Sequence, residues 1–242
     1  TMLQREDCRQ AAITVTNYLL DHCVTAHGVI HHPNAPKEPV YLKDHAQLTS
    51  ALITTYQHTG DHKYLNEAET IAKKTITLFS TKKGFISFKG KSIGLLKTPY
   101  KDVTDNALIA LALLDLSALT GNAPYHTLAK QALEQAEPTA KTLGIQAAMY
   151  ALAASILDKG ISIVTLIGTP GSHDLETLRW HALRASKPGL LVETIDSSDH
   201  KRLTDKGYAP SALPSAYICA HKKCVGPITD GEELLRKIGM GH

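Results

Sequence analysis

Sliding the sequence along itself by 61 residues sets Asp44 on Asp105, Ala46 on Ala107, and Ala51-Leu52 on Ala112-Leu113. The same shift sets Thr59-Gly60 on Thr120-Gly121, Tyr64 on Tyr125 and Ala68 on Ala129. Eight identities therefore fall within 25 positions, where composition alone would supply about one or two. Each copy reads as a helix opening at an aspartate, a Thr-Gly turn, and a second helix carrying Tyr and Ala. A helical hairpin has an apolar face that it cannot bury alone, so repeated hairpins are expected to stack. The expected fold class is mainly α: stacked αα-hairpins forming part of an α/α toroid, with a small C-terminal α/β segment.

The rest of the chain fits around that repeat. Apolar residues recur at helical spacing over 6–24, 44–58, 62–79, 105–119, 123–136 and 142–158, with Gly28, Gly60-Asp61, Gly84 and Gly121-Asn122 as stops. Beyond about residue 160 the pattern changes to short runs rich in β-branched residues, ISIVTLIG (161–168), GLLVETI (189–195) and SAYICA (215–220). Helical segments lie near 174–185 and 230–238. The expected division is a helical-hairpin domain over 1–158 and an α/β segment over 159–242.

With 43% hydrophobic and 20% charged residues, 242 residues suffice for a substantial core. A net charge of +3, with its lysines and arginines scattered, argues against a nucleic-acid surface. Among the 13 histidines only His31-His32 are adjacent, and no metalloprotease-type His-Glu-x-x-His occurs. No apolar run approaches the ~20 residues of a membrane span, and no secretory signal is visible in the charged start TMLQREDCRQ, as none would be in an isolated domain. Four cysteines without a dense framework suggest a reducing, cytoplasmic setting. No cofactor and no metal is implied.

Lys43-Asp44-His45 puts three ionisable side chains ahead of an apolar run. With Gln47 three residues on, Asp44 resembles half of a capping box, and Asp105 holds the same place in the second copy. Capping explains both acids at once. The chemical reading is that helix starts and connecting loops line a funnel, where paired carboxylates serve as general acid and base on a sugar. Asp44 and Asp105 are then the catalytic candidates. Tyr41, His45, Tyr100, Asp102 and Asn106 surround them as ligand-binding candidates, the tyrosines as stacking surfaces. HGVIHH (27–32) and KGFISF (83–88) read as small β-turns after a helix, and KGKSIGLLKTPYKD (89–102) is long for a hairpin connection.

In the tail, LIGTPGSHDLETL (166–178) reads as strand, Gly-containing turn and helix, with Ser172 or Asp174 as cap. An anion at such a helix start would meet the carboxylate of Asp174. Cys219 and Cys224 enclose His221. They read as structural thiols first, then as a disulfide, and last as part of a metal site, for which no second Cys/His pair follows.

YLKDHAQLTSALITTYQHTGDHKYLNEA (41–68), KGFISF and SAYICAHKKCVGPITDGEELL (215–235) together resemble the thioredoxin-domain-containing, spermatogenesis-associated-like proteins. The resemblance covers nearly the whole chain. It implies a toroid of the six-hairpin glycosidase kind preceded by a thioredoxin-like domain. That domain and the first part of the toroid have no counterpart here, so the chain is expected to match the carboxyl-terminal portion of a longer protein. Asp44 matches the acid of that family's Leu-Glu-Asp-Tyr motif, while Lys43 and His45 replace its Glu and Tyr. Asp105-Asn106 falls where the family has Asp-Gly or Asp-Asn, without the Pro-Ser-Gly-Asn that follows. The functional expectation is a domain that binds or acts on a carbohydrate-like ligand. The competing one is a non-catalytic scaffold that self-associates or pairs with the missing half, since part of a ring leaves apolar faces uncovered.

Overall fold

The computed structural model of the chain describes residues 5–30, 39–90, 100–185, 187–221 and 223–239. His31-His32 and most of the 89–102 connection lie outside the described residues. The chain divides into two compact units, one of residues 11–55 and 61–158, the other of residues 1–10, 56–60 and 159–242.

Helices α1 (Glu6–Cys23), α2 (Leu42–Thr59), α3 (His62–Phe79), α4 (Val103–Thr120), α5 (Ala123–Leu143) and α6 (Ala148–Lys159) supply the larger unit, apart from residues 6–10 of α1, 56–59 of α2 and Lys159 of α6, which count with the smaller one. Two short antiparallel ribbons join them: β1 (Val24–Thr25) with β2 (Gly28–Val29), and β3 (Val40–Tyr41) with β4 (Phe88–Lys89). The 61-residue repeat is present at the element boundaries. It carries the start and end of α2, Leu42 and Thr59, onto those of α4, Val103 and Thr120, and the start of α3, His62, onto that of α5, Ala123.

A second correspondence, of 56 residues, relates the turns that leave α1 and α3, which end at Cys23 and Phe79. The Thr25 hydroxyl donates to the Gly28 carbonyl at 2.9 Å and accepts from the His27 N–H at 3.2 Å. The Thr81 hydroxyl does the same with Gly84, at 2.9 Å, and Lys83, at 3.2 Å. Ile30 N–H then returns to the Cys23 carbonyl at 2.8 Å, and Ile86 N–H to that of Phe79 at 3.0 Å. A Thr-x-x-Gly turn thus redirects the chain after each of these helices, and the threonine supplies hydrogen bonds that a short ribbon cannot.

The expected fold class does not hold. Beside the helices stand a four-stranded mixed sheet and the two ribbons, and the helices do not form a clear stack of hairpins. The repeat dictates how each helix pair turns, but not how pairs pack. It also ends early: α5 runs 21 residues through Pro138 and reaches α6 by a 3-10 segment at 144–147, with no Thr-x-x-Gly turn.

The smaller unit holds β5 (Ser162–Gly168), β6 (Leu190–Asp196), β7 (Ser215–Ala220) and β8 (Lys223–Ile228) in the order β6-β5-β7-β8. β5 and β6 are parallel through the crossover helix α7 (His173–Arg184), and β7 and β8 add antiparallel. Helices α8 (His200–Asp205) and α9 (Gly231–Gly239) complete it. Alternate strand residues serve the two faces. Val164, Leu166, Val192 and Ile218 pack with Leu175 and Leu178 of α7 and Leu234 of α9. On the other face Ile167, Ile195 and Tyr217 pack with Leu203 of α8. Glu193 is buried there, yet it accepts from the Thr165 hydroxyl at 2.8 Å, Lys206 Nζ at 2.6 Å and Arg202 Nη2 at 3.2 Å. Its charge is therefore paired, as burial demands.

Among the described residues, the helix Val103–Thr120 and the helical run Ala123–Lys159 are long and apolar enough by composition to cross a membrane. Inside the protein 56% of the first window and 22% of the second is buried.

Candidate functional site

The site is organised around Ser87, which is buried between the ribbon and the starts of α2 and α4. Its backbone carbonyl accepts from Leu42 N–H, the first residue of α2, at 2.9 Å, and its N–H donates to the Tyr100 carbonyl at 2.8 Å. Its hydroxyl accepts from Asp102 N–H at 2.8 Å and hydrogen-bonds the Asp105 carboxylate. One serine thus ties together the entries of both repeated helices. The ribbon pairs Tyr41 with Phe88, which sets these two residues side by side.

These elements enclose a cleft of about 500 Å³ within the larger unit. Asp44, Asp105 and Lys43 supply its charges, Tyr41, Phe88 and Tyr100 its aromatic walls, and Ser87 a hydroxyl. The tyrosines are open to solvent, at 40% and 57% exposure for Tyr41 and Tyr100. Tyr100 is steadied by its phenol, which donates to Asp102 Oδ2 at 3.1 Å; that carboxylate holds the phenol above its ordinary pKa.

The two catalytic candidates are not the helix caps that their position suggested. Asp102 caps α4, with extended backbone and Oδ1 accepting from Thr104 N–H at 2.7 Å and Asp105 N–H at 3.0 Å. Asp105 is the third residue of α4, and Asp44 the third of α2, which opens at Leu42. The physical reason is the Asp102-x-x-Asp105 spacing: the residue with extended backbone takes the amides, and the acid three further on enters the first turn. Both first-turn acids line the cleft instead.

Asp105 is half-buried, and its pKa is raised. Burial is the largest cause, reinforced by the negative charges of Asp102 and Asp44 and opposed by the Ser87 hydrogen bond and by Lys43. A carboxyl held above its ordinary range beside a second carboxylate is an arrangement suited to acid–base work. Asp115, two turns or more along α4, is pushed up to about 7 by burial alone, but it is not part of the cleft lining.

His45 and Asn106 turn out to be framework. His45 is fully buried; its Nε2 accepts from Val29 N–H at 2.9 Å and its Nδ1–H donates to the Tyr41 carbonyl at 2.8 Å. Asn106, its counterpart under the 61-residue shift, does the same work: Oδ1 accepts from Phe85 N–H at 2.9 Å and Nδ2 donates to the Asp102 carbonyl at 2.9 Å. Both latch the ribbon turn to the helix start and leave no ring or amide atom for a ligand. Sequence reasoning missed Lys43, Ser87 and Phe88 as cleft residues. The signal lay in KGFISF, where Ser87 and Phe88 follow the turn.

In the smaller unit Cys219 and Cys224 form a disulfide across the β7–β8 hairpin, so the first reading, unbonded thiols, is corrected. The pairing follows from the register, which sets the two residues opposite each other, Cα to Cα 4.1 Å. The Tyr208 hydroxyl lies 3.4 Å from Cys219 Sγ. Ser172, not Asp174, takes the cap position of α7, without a side-chain cap hydrogen bond. Among the described residues no group of three or more His, Cys, Asp or Glu is placed to hold a metal ion. No protein-family model matches the chain, and no curated protein matches it.

Proposed function

We propose that the Asp44–Asp105 cleft binds a carbohydrate-like ligand, with Asp105 as the proton-bearing acid and Asp44 as its carboxylate partner. The observation that carries this reading is that two acids from equivalent first turns share one aromatic-walled cleft. Carboxylates accept the hydroxyl hydrogens of a polyol, and tyrosine and phenylalanine faces receive the apolar C–H side of a sugar ring. Lys43 adds donors for ring oxygens. A glycosyl-transfer or hydrolysis step would use the Asp105 proton on a leaving oxygen and Asp44 on the opposite side of the ring.

The test is a melting-temperature panel of mono- and disaccharides on the wild type, Asp105→Asn and Asp44→Asn. A sugar at ten times its Kd should raise the wild-type Tm by about 3 °C, since only the folded state binds. Both variants should lose most of that shift. No shift at millimolar sugar, across the panel, would remove the reading.

The scaffold reading keeps one observation of its own. Leu143 and Ile145, at the end of α5 and in the 3-10 segment, are exposed, Ile145 at 92%. Light scattering distinguishes it: a dimer that Ile145→Asp converts to a monomer favours association through this surface.

A further inference from the structure

The two sulfurs of the Cys219–Cys224 disulfide sit in different chemical settings. Cys224 is exposed on β8, the edge strand of the sheet, and of that strand only Ile228 is buried. Cys219 is half-buried on β7, packed with Tyr208 against the Ile167, Ile195, Leu203 and Tyr217 cluster. A disulfide sulfur carries no hydrogen, so in the 3.4 Å contact between Tyr208 Oη and Cys219 Sγ the phenol is the donor. The same phenol lies 2.9 Å from Thr165 Oγ1, whose own hydrogen goes to the Glu193 carboxylate at 2.8 Å. Its one hydrogen can therefore turn to either neighbour. Burial is the main cause that pushes the Tyr208 pKa up, so that hydrogen stays on the phenol. In the intact disulfide Cys219 Sγ is a weak, neutral acceptor. As a thiolate it is a charged one, and hydrogen bonds to charged acceptors are about twice as strong. The donor is thus placed for the product of S–S cleavage. As a staple the bond contributes little: it closes a loop of sequence separation 5 between strands already joined by their ladder, and short loops gain least from cross-linking.

We infer that Cys219–Cys224 is a thiol–disulfide exchange site that accepts two electrons from a dithiol reductant, with Cys224 as the sulfur attacked and Cys219 as the leaving group held by Tyr208. This activity belongs to the smaller unit and is independent of the sugar-binding reading. A thiolate of the reductant attacks Cys224 Sγ and forms a new S–S bond there. The Cys219–Cys224 bond breaks, and its electron pair stays on Cys219 Sγ. The Tyr208 hydroxyl turns its hydrogen from Thr165 to that sulfur. The reductant's second thiol, as thiolate, then attacks its own sulfur in the mixed disulfide. Cys224 leaves as thiolate, and the reductant leaves oxidised to its disulfide. The two protons that the reductant's thiols lose end on the two cysteines.

The experiment treats the folded, oxidised chain with excess glutathione and traps the free thiols with N-ethylmaleimide. Peptide mass mapping should place glutathione on Cys224 and the maleimide on Cys219. Millimolar dithiothreitol should reduce the bond while circular dichroism shows the chain still folded. Tyr208→Phe should slow that reduction about fivefold, because a leaving thiolate without its donor has a higher pKa and leaves more slowly. In the reduced Tyr208→Phe chain the pH profile of Cys219 alkylation, read by peptide mass, should move to higher pH, which lost packing alone would not produce. Where Tyr208→Phe does not fold, the glutathione map of the wild type decides. Reduction only after unfolding in urea, glutathione on Cys219, or a Tyr208→Phe chain with unchanged rate and profile would overturn the inference.

Discussion

His45 shows how one side chain can look like a ligand and serve as a joint. Its ring must stay neutral, because Nε2 has to accept the Val29 N–H, and burial lowers its pKa. A histidine whose folded pKa is depressed resists the proton that the unfolded chain accepts. Its stabilising contribution is therefore complete above about pH 6.5 and is lost as pH falls towards the lowered folded value. His58, held down to about 4 chiefly by burial, adds a loss of the same sign, so the comparison has to be made between variants. His45→Asn should fold, because Asn106 fills the equivalent place with the same two bonds. Its chemical-denaturation stability should fall less than the wild type's between pH 6.5 and pH 5. His45→Ala should lose about 2–4 kcal/mol at pH 7, from the orphaned amide and the cavity. Identical pH slopes for the wild type and His45→Asn would refute this assignment.

At the scale of the element, the repeat was legible because helix periodicity, Thr-Gly turns and capping chemistry all recur at one spacing. Expected helices at 62–79 and strands at 215–220 coincide with α3 and β7. Three things were not legible. The cap was assigned three residues late, because Asp102 and Asp105 are equally good candidates until backbone dihedrals decide. β8 has an exposed, Pro-containing sequence, tolerable only on an edge strand. The Thr-x-x-Gly equivalence was hidden because it runs at 56 residues and not 61, the loops between repeats differing in length. Gly84 is where that turn meets the latch: at φ +69° its added Cβ would sit 2.9 Å from Asn106 Oδ1 and 3.1 Å from Gln135 Oε1. Gly121 has a similar φ, +74°, but open space around it. Gly121→Ala should cost about 1 kcal/mol from backbone strain alone, and Gly84→Ala at least about 1 kcal/mol more. Equal losses by urea unfolding would mean that the Asn106 latch is not held as described.

For the whole molecule, the hairpin repeat was a sound guide to local connectivity and a poor one to architecture. The mixed sheet forms within 159–242, where an α/β segment was expected, but the helices of the larger unit, joined by two ribbons, do not form the clear hairpin stack that was expected of them, because sequence repeats encode turns more directly than the packing of one pair on the next. What does carry through is narrower: acids from two equivalent first turns border one cleft of the larger unit. The most direct measurement is a carbon-13 NMR titration of the Asp105 carboxyl in the wild type and in Asp44→Asn. With the two carboxylates facing one cleft, Asp105 should titrate above the usual aspartate range and move down when the Asp44 charge is removed. An ordinary Asp105 titration, indifferent to Asp44, would contradict the shared cleft and the function built on it.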